Sequence, residues 1–212
     1  PVLVIADPSQ EADARKRCPQ SNVEVLPLPI DDSWLRDSGP IIVTDEDGDR
    51  AGVDFAFNAW GEAFSPYRND AAISSRILDH LDIERFIEPM ILEGGSIAVD
   101  GEGLLVTTEQ CLLNPNRNPD LDRHTIDAEL CRALGLERVV WLEKGLVEDA
   151  DTDGHVDNIC AFLEPDRVLL QTVNDPADPN YEGSRENVRR LEAAGIEVVE
   201  WELLPRISRQ DG

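Results

Sequence analysis

One pattern recurs three times along the chain, and it constrains the fold more than any other feature. Two short strands joined by an acidic turn lead through a loop into an amphipathic helix and a third strand. In the first copy, strands at 40–44 and 51–57 flank Asp45-Glu46-Asp47-Gly48-Asp49. Ile73, Ile77 and Leu81 then fall four apart, which predicts one helical face, and a strand follows at 83–91. In the second copy, strands at 96–99 and 104–108 flank Asp100-Gly101-Glu102-Gly103. A helix from about 121 carries Ile126, Leu130 and Leu134 in register, stops at Gly135, and precedes a strand at 138–142. In the third, strands at 156–163 and 168–173 flank Glu164-Pro165-Asp166-Arg167. Ser184 is placed to cap a helix holding Val188 and Leu191, which ends at Gly195 before a strand at 196–201. A half-unit precedes them: a strand at 2–5, a short helix at 11–17 and a strand at 23–26.

Repeats of this period stack or close radially. The chain therefore reads as one partial domain over 1–212, with units near 1–35 (partial), 36–92, 93–153 and 154–212. It starts in mid-unit and stops where the next unit would open. The expectation is a fragment lacking both ends.

Composition narrows the functional classes. There are 44 acidic against 19 basic side chains, a net charge of -25, with only Lys16 and Lys144 as lysines. That balance opposes nucleic-acid binding, which needs Lys and Arg against phosphate, and favours a small cationic partner. Most of the acid, however, reads as a solvated shell. Apolar residues make up 41% of the chain, enough for a core, and no apolar run is long enough to span a membrane. Pro1-Val2-Leu3-Val4-Ile5-Ala6 lacks a basic leader and reads as a strand. Cys18, Cys111, Cys131 and Cys160 show neither C-x-x-C nor zinc-ligand spacing. Free thiols in a reducing cytoplasm are expected.

Chemistry-bearing residues gather where one unit hands over to the next. They are Asp31, Asp32, Trp34, Arg36 and Asp37; then Glu93 with Gly94 and Gly95; then Asp151, Asp153, His155 and Asp157. In a radial arrangement these junctions face a shared centre. His155 and Asp157 lie two apart on an expected strand and so project to one face, with Cys160 on the other and packed in the core. Each feature alone has a plain reading: a hydrogen-bonded pair, a core tryptophan, an ordinary ion pair, a turn glutamate. Their recurrence at one point of the repeat is more specific. Carboxylates around a histidine are costly to bury unless a cation fills the space. A guanidinium suits them, being planar, permanently charged and able to pair in bidentate fashion.

The strings DDSWLRDSGP, FNAWGE, LEGGSIAVDGEGLLVTTEQCLLNPNRNP and DADTDGHVDN resemble the agmatine deiminase family, related to the Porphyromonas-type peptidylarginine deiminases. That resemblance implies an α/β-propeller of the pentein type, built of ββαβ units, about three and a half of five being present. It implies hydrolysis of agmatine to N-carbamoylputrescine and ammonia on a route to putrescine, through a cysteine thiouronium. His155 matches the family's acid–base histidine, and Asp37 and Asp157 match the carboxylates that bind the guanidinium. Trp34 matches a tryptophan of the substrate channel. Glu93 and Asp151 match acidic positions that order the substrate or its distal amine. No metal or organic cofactor is implied. The family's nucleophilic cysteine has no counterpart among the four here and is expected beyond Gly212, so the fragment alone is expected to be inactive. Ala98 stands where the family often has histidine.

Other readings remain open at this stage. Arginine or peptidyl-arginine carries the same reactive head as agmatine. His155, Asp157 and Asp37 also suit a Mg²⁺ or Mn²⁺ hydrolase. A non-catalytic module that binds guanidino compounds or polyamines is a third option. Exposed strand edges leave formation of a homo-oligomer open.

Overall fold

The structure, a computed structural model, describes residues 2–204. The chain forms two compact units that divide between Gly94 and Gly95.

The first unit opens with β1 (Val2–Ala6), α1 (Glu11–Arg17) and β2 (Val23–Pro27). β1 and β2 pair in parallel through that helix. There follow α2 (Leu35–Ser38), β3 (Ile41–Thr44), β4 (Arg50–Ala56), α3 (Ala59–Glu62), α4 (Ile73–Leu81) and β5 (Glu84–Ile91). β3 and β4 form an antiparallel hairpin, and β5 joins β4 in parallel.

The second unit uses this design twice. β6 (Ile97–Val99) and β7 (Leu104–Thr108) form a hairpin. α5 (Glu109–Leu112) and α6 (Arg123–Leu134) then carry the chain to β8 (Arg138–Leu142), parallel to β7. β9 (Cys160–Glu164) and β10 (Arg167–Thr172) form the last hairpin, and α7 (Tyr181–Ala193) crosses to β11 (Glu197–Glu202), parallel to β10. Short turns can join only antiparallel neighbours, so each parallel third strand needs its helical crossover. The ββαβ repeat expected from sequence is the repeat observed, and the architecture is mixed α/β.

The acidic turns are equivalent in detail. Asp45 Oδ1 accepts the N–H of Asp47 at 3.0 Å and of Asp49 at 2.9 Å. Asp100 Oδ1 accepts the N–H of Glu102 at 2.8 Å and of Leu104 at 2.9 Å. Each aspartate thus closes its own hairpin through i+2 and i+4 bonds.

The core follows the central strands. All of β7 is buried, as expected of a strand covered on both faces. In the second unit Leu104, Val106, Leu142, Val168, Leu170 and Leu191 belong to one buried cluster. Each such side chain contributes about 1.5–3 kcal/mol relative to exposure.

Three local expectations fail. Leu81 is exposed, and Leu78 takes its place in the core. The reason is β4: Gly52 leaves the space into which Leu78 packs, since a Cβ there would lie 2.2 Å from Leu78 Cδ2. Ser184 lies inside α7 rather than capping it, and its hydroxyl oxygen accepts the N–H of Val173 at 3.2 Å. Residues 156–158 form a 3-10 turn, so the first strand of the third repeat begins only at Cys160.

Candidate active site

In the first unit the DDSWLRDS segment is anchored by reciprocal carboxylate–amide bonds. Asp31 accepts the backbone N–H of Asn69 at 2.7 Å and its side-chain amide at 2.9 Å. Asp70 accepts the N–H of Asp31 at 2.8 Å and of Asp32 at 2.9 Å. Burial pushes the Asp70 carboxyl above the usual carboxylate value; those two amide bonds oppose the shift, and the charges of Asp31 and Asp32 add to it. The loop so fixed presents Trp34, which is 60% exposed, just ahead of α2.

Asp37 is buried within α2. Its Oδ2 accepts the indole N–H of Trp60 at 3.0 Å. Trp60 is held in an unusual backbone: Ala59, Trp60, Gly61 and Glu62 all have positive φ, at 54°, 56°, 80° and 62°. Each non-glycine among them costs about 1–2 kcal/mol. Asn58 Oδ1 accepts the N–H of Gly61 at 2.9 Å, and Phe57 and Phe64 pack edge-on against the indole at 5.3 and 5.5 Å. Strain of this kind, over-determined by its surroundings, collects at functional sites.

The Glu93–Gly94 junction meets the same segment. A Cβ on Gly94 would stand 2.1 Å from the carbonyl oxygen of Arg36, so only glycine permits this approach. Glu93, beside it, is fully buried. Two of the three junctions named from sequence thus come together within this unit.

The third junction lies in the second unit. His155 is 2% exposed and precedes the 3-10 turn Val156–Asn158. Asp157, inside that turn, is exposed. The pair therefore does not share the face of a strand as expected. A tight turn, closed by the Ile159 N–H bonding to Val156 O at 3.0 Å, breaks the two-residue alternation. Asp151 is exposed in the preceding loop.

That loop is built from two directions. Asp149 accepts the N–H of Thr152 at 3.1 Å, its hydroxyl at 2.6 Å, the N–H of His155 at 3.0 Å and the Asn158 amide at 3.1 Å. Burial works to raise the Asp149 carboxyl, but the bonds from Thr152, Asn158 and His155 prevail and hold it below the usual carboxylate value. From beneath, the wholly buried Arg117 side chain donates to Asp153 Oδ2 at 2.7 Å, Asn116 Oδ1 at 2.8 Å and Thr152 O at 3.1 Å.

Among the cysteines, Cys160 packs in the core, and burial pushes its thiol up to about 12. Burial, then the charge of Asp127, also raises Cys131. The buried Cys111 sulfur lies within 4.8 Å of a His155 ring nitrogen.

Reading by junctions left out Trp60, Arg117, Asp149 and Thr108 as parts of the site. The signal for all four was present in the strings FNAWGE, TTEQC, LLNPNRNP and DADTDGHVDN, the last of which opens at Asp149; their role as scaffold emerges only from these contacts.

The model of the Porphyromonas-type peptidyl-arginine deiminase family matches residues 1–202. An agmatine deiminase of Pseudomonas fluorescens (strain SBW25) is 46% identical over 186 residues, which is 85% of this chain and 50% of that protein. One from Ectopseudomonas mendocina is 44% identical over 198 residues, covering 91% of this chain and 54% of that protein. The solved agmatine deiminase of Enterococcus faecalis superposes with a TM-score of 0.91 at 30% identity, over 100% of this chain and 60% of its own. That of C. jejuni with substrate bound gives 0.89 at 32% identity, over 99% and 62%. The chain spans about half the length of the curated relatives it matches.

Proposed function

We propose, because this chain belongs to the Porphyromonas-type peptidyl-arginine deiminase family, that the protein is a guanidino-group hydrolase acting on agmatine. The observation that carries this reading is the identity with named agmatine deiminases, 46% and 44% in the two cases above. The rigidly held, buried His155 and the buried carboxylate of Asp37 are the groups such chemistry uses.

In this reading a thiolate attacks the guanidinium carbon, and the C–N bond to one terminal nitrogen breaks. His155 gives that nitrogen a proton, and ammonia leaves. The same imidazole then takes a proton from water, whose oxygen attacks the thiouronium carbon and expels the thiolate. The products are N-carbamoylputrescine and ammonia. Asp37 and Asp157 bind guanidinium nitrogens, Trp34 lines the path of the substrate, and Glu93 and Asp151 order its chain or its distal amine. The scheme calls for no metal or organic cofactor.

The thiolate is assigned to a cysteine outside these 212 residues. Cys111 and Cys160 are buried, Cys160 and Cys131 are shifted toward the neutral thiol, and Cys18 follows α1 away from any junction. The five-unit propeller, a single domain over these repeats, a cytoplasmic location and a place in putrescine formation belong to the same proposal. No helix among the described residues is long and apolar enough to cross a membrane.

The family description also favours a second reading, peptidyl-arginine as substrate. Both are tested by supplying agmatine, free arginine and an arginine peptide to the full-length gene product and measuring ammonia and ureido product. Faster turnover of agmatine is expected. Preference for the peptide moves the assignment to the second reading, and no turnover of any of the three ends both.

A further inference from the structure

The peptide joining Gly154 to His155 is held at both of its polar ends. Its carbonyl oxygen accepts the Thr108 hydroxyl at 2.7 Å. Its N–H, that of His155, donates to Asp149 Oδ2 at 3.0 Å. A peptide is planar, so fixing its oxygen and its N–H fixes the plane and the Cα of His155 with it. Only the side-chain torsions of the imidazole remain to be set.

Both holding groups are themselves bonded to further partners. Thr108 ends β7 and is fully buried. Its hydroxyl oxygen also caps α5 by accepting the N–H of Cys111 at 3.2 Å. One side chain therefore connects the central strand, the start of a helix and the peptide before His155. Asp149 is locked by Thr152 and Asn158, and its anionic form is the favoured one at neutral pH. The Gly154 backbone has no room to drift: φ is +84°, and a Cβ there would lie 2.6 Å from Gln110 Oε1 and 2.9 Å from the Gly145 nitrogen.

We propose that Asp149 and Thr108 are positioning residues that together set the approach of the His155 imidazole to the reacting nitrogen and water. This rests on the reading of His155 as the acid–base group. Proton transfer needs heavy atoms within hydrogen-bond reach, and a displacement of about 1 Å costs roughly 100-fold in rate. Neither residue touches substrate in this scheme, so both act on kcat and leave KM in place.

The test uses the full-length gene product with Thr108→Val, Thr108→Ser and Asp149→Asn. Valine keeps the shape and removes the donor; serine keeps the donor. Thr108→Val and Asp149→Asn are expected to lower kcat about 10- to 100-fold, with KM within about twofold. Thr108→Ser is expected to stay within about threefold of the parent. The second readout is independent of turnover: hydrogen exchange at the His155 amide and NMR titration of its imidazole. Exchange is expected to quicken in Asp149→Asn. Folded variants with parental kcat overturn the proposal, and so does Thr108→Ser falling as far as Thr108→Val. If the parent turns over no guanidino substrate, the deiminase reading fails by itself. Positioning is then decided by the second readout, and unchanged exchange and titration in Asp149→Asn overturn it.

Discussion

Replacing Arg117 with methionine isolates what a buried guanidinium does for the loop that carries His155. Methionine fills nearly the same volume, so the cavity contribution is small. The donated bonds lost include those of 2.7 Å to Asp153, 2.8 Å to Asn116 and 3.1 Å to Thr152 O. Breaking a buried ion pair from one side costs about 3–5 kcal/mol. The Asp153 side chain is 26% exposed, so solvent screens part of the orphaned charge and the lower end, about 3 kcal/mol, applies. For a chain of this length each kcal/mol moves Tm by about 2–4 °C, which gives a fall of about 6–12 °C. Arg117→Lys keeps the charge but loses the planar fork, and an intermediate fall is expected. Thermal unfolding by circular dichroism measures both. A fall under about 2 °C for Arg117→Met refutes the claim that this side chain holds the loop.

Other outcomes follow from the same contacts. Trp60→Phe removes the donor 3.0 Å from Asp37 and is expected to cost about 1–3 kcal/mol in urea unfolding; an unchanged midpoint counts against the bond. Cys160, whose thiol burial pushes up to about 12, is expected to resist alkylation at neutral pH until the chain unfolds, and mass spectrometry showing rapid native-state labelling contradicts its burial. The folded-state value of Asp149 lies below its reference of 3.8, so its contribution to stability is complete above about pH 4 and is lost as pH falls through the folded value. Asp149→Asn is therefore expected to flatten the acid limb of the stability profile below about pH 4, and an acid limb as steep as the parent's rejects this.

The fold was legible because its signals are local. Ile126 and Leu130 are buried on α6 at the predicted spacing, and Gly135 ends that helix in the left-handed conformation at φ 67°. The turn aspartates Asp45 and Asp100 close hairpins with atoms at most four residues away. Where a distant neighbour intervened, the reading slipped. Leu81 had the right period for the core, yet the gap over Gly52 is filled by Leu78. His155 and Asp157 had the spacing of a strand face, yet carboxylate and amide bonds around Asp149 wound the segment into a turn.

The sequence by itself determined the repeat, the family and the residue types collected at the junctions, since periodicity, turn chemistry and motif order are written in near neighbours along the chain. Tertiary structure alone decided how those residues are held. Trp60 reaches Asp37 across 23 positions, Arg117 reaches Asp153 across 36, and Thr108 reaches Gly154 across 46. A hydrogen bond depends on tenths of an ångström between groups whose separation in sequence says nothing of their distance in space, so such partners become visible only once the chain has closed on itself.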